Sequence, residues 1–423
     1  LKEEQSVSKV IDFTDQQVFK GLTTYTMILF VNKKRNDKIR YAEIDEIDGN
    51  IRERLSKVHK DIENGQMRAF DASYENLTAE TWTFIPKIES EILNDSDFND
   101  LDAYAESIYQ GVVPGENPFF ILDLEERKED TCIVSSDLEE EKFEIEQDIC
   151  KILCKGEALK RWGADKDDKV IVYPYEVTEE DWRLLSRDEI AEKYPKAWMY
   201  FERNKDTLED RGDDWHGFNT VRPNNIHNFN KKKAVVAYLS NRSKMSLDRE
   251  GEIIMPDGAS GGVGVTLDEA VEDVSYQFIV ALINSRLFEW MVEKTSSGFK
   301  GNSFAYTKKY IKNKPVPTGN QQKQIEILSE DLMNLAEDSR KENEEDMRVL
   351  ENLIDFLVYE MYFDKFGSSL LEEVKEIISG ISDPNEKARK IRGSSEVEKI
   401  VADMEEDEKI EIVDSGKLRD KTW

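Results

Sequence analysis

Between Gly111 and Pro317 the hydrophobic pattern changes period again and again, and this limits what the chain can fold into. Phe119–Leu122, Val170–Tyr173, Lys232–Leu239 and Glu252–Met255 are short apolar runs rich in β-branched and aromatic residues, as strands are. Val274–Val292 instead places Phe278, Leu282, Ile283, Leu287 and Trp290 at helical spacing. Short strands, turns and helices in alternation predict an α+β domain over residues 111–318, a mixed α/β body of about 200 residues. Two helical stripes follow. Ile325, Leu328, Leu332 and Leu335 form the first; Met347, Leu350, Leu353, Ile354, Leu357, Val358 and Met361 form the second. The charged link Glu337–Asp346 separates them, so residues 319–379 are expected to form a C-terminal helical hairpin packed on the body. Residues 380–423 are highly charged, with the acidic run Asp403–Glu408, and predict a loosely attached helix or a disordered acidic tail.

The N-terminal stretch has another character. Val10-Ile11-Asp12-Phe13 and Thr23–Val31 are strand-like and are separated by a polar turn and Lys20-Gly21. A lone strand pair is marginal, and no similar strands follow at once. Residues 1–48 are therefore expected to close a domain whose body lies upstream of Leu1, a residue that is not Met. Residues 49–110 are polar. Their apolar residues at 51, 55, 58 and 62, and again Phe98, Leu101, Tyr104, Ala105 and Ile108, predict a mostly helical connector, with Thr81–Pro86 extended.

Composition narrows the partners. A chain of 423 residues with 39% hydrophobic content supports two or three domains. No apolar run has membrane-spanning length, no signal peptide opens the chain, and no membrane partner is expected. Cys132, Cys150 and Cys154 with His59, His216 and His227 show no zinc spacing, so no metal is expected and the thiols suit a reducing cytoplasm. The net charge of -31 argues against indiscriminate nucleic-acid binding over the whole surface and leaves room for a local basic groove.

Two segments reverse the acidity. Cys150–Tyr175 sets Lys155, Lys160 and Arg161 beside Trp162, the mix of cations and a stackable ring that suits phosphates and bases. Lys294–Lys314 places Lys294, Lys300, Lys308, Lys309, Lys312 and Lys314 around Phe299, Phe304 and Tyr306. Gly298 and Gly301 there let backbone approach phosphate, and Asn302 and Ser303 can hydrogen-bond base edges or phosphates. Arg222 and Arg242 are further candidates for guanine contacts. The bland alternative is a set of basic turns that balance neighbouring acids. Other motifs fail. Asn117-Pro118-Phe119-Phe120 lacks the second Pro of a base-clamping element and is read as a strand start. Gly258–Gly264 has no P-loop Lys and is read as a mobile loop. No His is placed to serve a Ser or Cys nucleophile.

Taken in order, these pieces resemble the C-terminal half of adenine-N6 DNA methyltransferases of the TaqI type, including the fused methylase–endonucleases of type IIG restriction–modification systems. The likeness spans roughly residues 6–365. It rests on VIDF…VFKGLTTYTMILFV at Val10–Val31, then GVVPGENPFFIL at Gly111–Leu122, with Pro114 where the family has Thr. Lys155–Trp162 (KGEALKRW) and Tyr173-Pro174-Tyr175 follow. Next come Tyr194–Arg211, Trp215 with Arg222, LINSR at Leu282–Arg286, Pro315–Pro317 and LVYEMY at Leu357–Tyr362. Glu157 and Ala158 replace a Lys-Asp pair of the family.

The resemblance implies a site-specific adenine methyltransferase as the parent protein, using S-adenosylmethionine on a base turned out of the duplex. Residues 1–48 would be the last strands of its Rossmann-like methyltransferase sheet, and residues 111–318 the DNA target-recognition domain. This chain shows no catalytic or S-adenosylmethionine-binding motif. Its expected partners are double-stranded DNA and an upstream methyltransferase domain, and charge reversal of Lys160, Arg161 and Lys308 is expected to abolish duplex binding. The alternative is a protein–protein interaction or DNA-mimic module with an acidic surface.

Overall fold

A computed structural model describes residues 1–397, apart from 15, 20–25, 65, 78–81, 95–96, 167, 179–180, 297, 300–302, 364–367 and 395–396. The chain divides into two units. The first is built mainly from Leu1–Asn99 together with Trp290–Phe304; the second comprises Asp100–Glu289 and Ala305–Glu406.

The first unit holds a five-stranded sheet of β1 (Val7–Asp12), β2 (Met27–Val31), β3 (Ile39–Ile44), β4 (Ile62–Asn64) and β5 (Met67–Ala72), in the order β2-β1-β3-β5-β4. β1 pairs antiparallel with β2, as the strand-pair reading requires, and parallel with β3. The expectation that no partner strands follow is corrected, since β3, β4 and β5 extend the sheet within the next forty residues or so. Alternation along the strands serves both faces. Val10, Tyr41 and Phe70 pack on one side; Ile11, Ala42 and Ala69 pack on the other, beneath Leu55 and Val58. The helix α1 (Ile51–Lys57) supplies that cover, and α2 (Lys87–Leu93) follows β5. The mostly helical connector over 49–110 is therefore also corrected. Its apolar spacing falls on α1, on β4 and on a further strand, β6 (Ala105–Gln110), and the stretch also holds β5. β2 is the exception in this unit. All five of its apolar side chains are exposed, at the open edge of the sheet.

In the second unit, β6 pairs with a strand far along the chain. β16 (Lys233–Ala237), β17 (Met245–Asp248) and β19 (Gly262–Leu267) join it in the order β17-β16-β19-β6. Every residue of β16 and β19 is buried. Gly264 is required in β19, because a Cβ there would sit 2.5 Å from the Tyr109 ring. The glycine-rich segment is thus half loop and half core strand, which corrects its reading as a loop throughout. A second sheet contains β7 (Ile121–Arg127), β8 (Thr131–Ser135), β9 (Phe143–Glu146), β10 (Cys150–Leu153), β13 (Lys169–Val172) and β18 (Ile253–Ile254). Between β10 and β13 lies a two-stranded hairpin, β11 (Leu159–Lys160) with β12 (Gly163–Ala164). A further hairpin pairs β14 (Tyr175–Val177) with β15 (Trp182–Leu184). Asn117-Pro118-Phe119-Phe120 forms a helical turn, α3 (Asn117–Phe120), rather than the first residues of the strand, and buries both rings.

The helices follow local rules. Ser186 and Glu189 form a reciprocal cap on α4 (Arg187–Lys193), and Pro195 opens α5 (Pro195–Asn204). A short turn, α6 (Pro223–Ile226), precedes β16. Val274–Val292 is not one helix. It splits into α7 (Tyr276–Asn284) and α8 (Arg286–Thr295), because Ser285 adopts extended backbone between them. After the turn α9 (Lys308–Ile311), both predicted stripes appear as α10 (Gln322–Ser339) and α11 (Glu344–Phe363), with their apolar positions buried except Met361, which is half-buried. α12 (Ser368–Gly380) and α13 (Pro384–Arg392) follow. Residues 384–392 are more firmly held than a loose tail, because Lys387 is buried against Asp331 and Ala388 and Ile391 are buried too. The acidic run Asp403–Glu408 lies outside the described residues. No helix among the described residues is long and apolar enough to cross a membrane.

Candidate nucleic-acid interface

The β11–β12 hairpin decides where the first basic group points. Trp162 sits in its turn with φ +68, a left-handed conformation that costs a bulky residue about 1–3 kcal/mol and persists only where its surroundings enforce it. They do. Its backbone N–H donates to Met245 O at 3.0 Å, its indole N–H donates to Glu351 of α11, and the ring is 2% exposed. Arg161 turns the same way. Its guanidinium reaches Glu289 at 2.6 Å and Glu351 at 3.1 Å and donates to the carbonyls of Asn284 at 2.7 Å and Ser243 at 3.3 Å. Burial opposes its charge, but Glu351, Glu289 and Asp355 outweigh that and hold the group above its ordinary value. Asp355, which pairs with Arg286 at 3.2 Å, is pushed up to about 7 by burial. Arg161, its side chain 13% exposed and its guanidinium engaged by two carboxylates, and the buried Trp162 are therefore corrected from nucleic-acid contacts to anchors of the hairpin on α7, α8 and α11.

The other candidates separate by exposure and partner. Lys155 is half-buried and has no ion-pair partner among the described residues. Lys160 is half-exposed, donates to Glu157 O at 2.6 Å and lies 3.4 Å from Asp165. Arg242 is exposed and lies 3.4 Å from Glu289. Tyr306 is 1% exposed, which removes it as a stacking ring. Lys308 and Lys309 are exposed at the start of α9. Lys314 is buried, and burial pushes its ammonium down to about 7 against the pull of Asp100. Ser303 and Phe304 are half-buried and belong to the first unit, where Lys294 lies 3.7 Å from the buried Glu89. Lys300 and Asn302 lie outside the described residues. Burial thus withdraws Arg161, Trp162, Tyr306 and Lys314 from the DNA-facing candidates.

What the second unit does bring together is a hydrogen-bonded series of loops. Gly156 N donates to Ser260 O at 2.8 Å, Tyr238 N to Gly261 O at 3.0 Å, and Tyr306 N to Tyr238 O at 2.9 Å. Asp257 N donates to Val112 O at 2.9 Å, and Asp257 accepts from Arg222 Nη2 at 2.8 Å. Lys155, Arg222, the exposed Ala259 and Ser260, and the Lys308–Lys309 turn thus stand on segments tied directly to one another. Gly258 has φ +82 with open space before it, and a Cβ on Gly261 would lie 1.7 Å from Pro256 O. Two glycines are what allow this loop to run close to its neighbours and remain open outward. The Lys155, Lys308 and Lys309 ammonium groups and the Ser260 hydroxyl, on linked segments, form a surface able to position a phosphodiester backbone. Tyr238, Asp257 and Ser260 were not singled out in the sequence. Their signal was the glycine-rich segment itself, whose role depends on pairings distant along the chain.

No family model matches this chain. It is similar to a curated protein, the type II restriction enzyme and methyltransferase RM.Eco57I of Escherichia coli, with 24% identity over 342 residues. That match takes in 75% of this chain and 32% of the relative, so the chain spans about a third of the relative's length. Among solved structures it superposes loosely on the type IIL restriction–modification enzyme MmeI in complex with DNA. There the TM-score is 0.46 at 10% identity, over 95% of this chain and 46% of that one. The type IIG restriction endonuclease BpuSI gives a TM-score of 0.35 at 12% identity, over 94% and 44% of the two chains. The sequence similarity relates the chain to the restriction–modification enzymes.

Proposed function

We propose that this chain is the specificity part of an adenine-N6 DNA methyltransferase of a type II or IIG-like restriction–modification system, and that it recognises double-stranded DNA in a sequence-specific way. The observation that carries the reading is the 342-residue similarity to a restriction enzyme and methyltransferase. The geometry supports it through the loop series of the second unit, which sets Lys155, Ser260, Lys308 and Lys309 on linked segments. In this reading residues 111–318 hold the duplex and residues 1–48 close a methyltransferase sheet. Transfer of the methyl group from S-adenosylmethionine belongs to an upstream domain. The exposed apolar edge β2 supports that partner, because a continuous apolar run such as MILFV suits a strand covered on both faces.

One observation favours a second reading, an acidic module that docks a basic protein or mimics DNA. The net charge is -31, and Arg161, Arg222 and Arg242 all face carboxylates. A competition experiment separates the two. Fluorescence anisotropy of a labelled 30-base-pair duplex (about three helical turns) is followed as the protein is added, with poly-lysine in a parallel titration. Saturable duplex binding at moderate salt supports the reader. Binding to poly-lysine with none to duplex overturns it in favour of the mimic.

A further inference from the structure

We infer that Tyr238 grips the DNA backbone, its hydroxyl donating to a phosphate oxygen between the Lys155 turn and the Lys308–Lys309 turn; this rests on the DNA-reading function proposed above. Tyr238 follows β16, whose five residues are all buried, and is itself partly exposed. Its backbone is held from both sides. The N–H donates to Gly261 O at 3.0 Å, and the carbonyl accepts from Tyr306 N at 2.9 Å. Ala237 pairs with Gly262, so Tyr238 stands opposite Gly261, a residue with no side chain to cover the ring. The Lys155–Gly156 turn packs against the same place, where a Cβ on Gly156 would lie 3.0 Å from Gly261 O and 3.7 Å from the Ala237 Cβ. On the other side, Tyr306 lies two residues before Lys308. Tyr238 is thus the middle member of the linked segments and is fixed there by its main chain.

The hydroxyl is what sets this tyrosine apart from others in its unit. Tyr109, Tyr200 and Tyr276 each donate to a backbone carbonyl, at 2.9, 2.8 and 2.9 Å. The Tyr238 hydroxyl has no hydrogen-bond partner among the described residues and is not buried, so it faces solvent. Lys155 and Lys308 likewise have no side-chain partner among the described residues. An ammonium group only donates, and a phenol donates readily. A ligand shared by all three must therefore be anionic and rich in acceptors, as a run of phosphates is. Tyrosine is among the side chains that bond phosphate oxygens and set the register of a duplex without reading its sequence.

The test compares the wild type, Tyr238→Phe and Lys308→Ala by anisotropy on several duplexes of different sequence, each across a salt titration, with thermal melting of each protein. Phenylalanine keeps the ring and removes only the donor. Tyr238→Phe is expected to bind every duplex about tenfold more weakly, with an unchanged melting temperature, because the hydroxyl has no partner in the protein. Its slope of log K against log salt should equal that of the wild type, since a neutral donor displaces no counterion, whereas Lys308→Ala should lower the slope by about 0.9. A Tyr238→Phe protein that binds like the wild type overturns the inference, while salt-dependent binding by the wild type leaves the proposed function standing. A loss confined to some sequences, or one that comes with a lower melting temperature, also overturns it, since the first marks a base contact and the second a structural role. A wild type that binds no duplex overturns both.

Discussion

A single tryptophan shows how a residue's chemistry can be read correctly and its direction missed. The run of Lys155, Lys160, Arg161 and Trp162 looks the same in sequence whether the ring faces DNA or the core. The deciding partner, Glu351, lies 189 residues away on α11. Replacing Trp162 by Phe is expected to cost stability by about 1–3 kcal/mol through the lost hydrogen bond and a carboxylate left short of a donor. Urea denaturation checks this. Duplex affinity should stay unchanged, whereas a ring stacked on a base would lose about 1–3 kcal/mol of binding instead. Asp355 gives a prediction in pH. Its folded value of about 7 lies above the ordinary value of 3.8, so the folded state holds more proton than the unfolded state between them. Its contribution is fully present below about pH 4 and is lost as pH rises to about 7. Asp355→Asn should flatten that part of the stability curve, measured as urea midpoints against pH.

At the scale of elements, local pattern was a good guide wherever the partner strand or helix was close in sequence. The stripes of α10 and α11 and the strand character of β1, β2, β13 and β16 were legible because each carries its own period. What was not legible depended on distant pairing. β6 lies against β19, more than 150 residues on, and its residues at 105 and 108 fit a helical spacing as well as a strand. Likewise, the glycines of 258–264 serve a tight loop and a buried strand whose neighbours are Tyr109 and Pro256. Gly261→Ala should therefore lower both melting temperature and duplex affinity. Gly258→Ala, strained in φ but with open space ahead, should cost only about 1 kcal/mol. Differential scanning calorimetry with anisotropy separates the two. The edge strand β2 gives the opposite kind of prediction. Ile28→Lys with Phe30→Lys should leave the melting temperature unchanged and reduce self-association in sedimentation velocity, since both side chains are exposed on an unpaired edge.

Over the whole molecule, the charge balance and the proposed function pull in different directions. A chain of net charge -31 repels a polyanion at long range, so a duplex is held only where a few cations act at contact distance. Of the sequence's basic candidates, the structure withdraws Arg161, and it leaves Lys155, Lys308 and Lys309 on linked segments free to meet phosphate. The measurement that tests this most directly is the slope of log K against log salt for duplex binding, in the wild type and in Lys155→Glu/Lys308→Glu/Lys309→Glu. Each phosphate contact contributes about 0.9 to that slope. A slope smaller by about 2–3 in the variant, with weaker binding to every duplex alike, is the predicted result. An equal slope and affinity in the two proteins would contradict it.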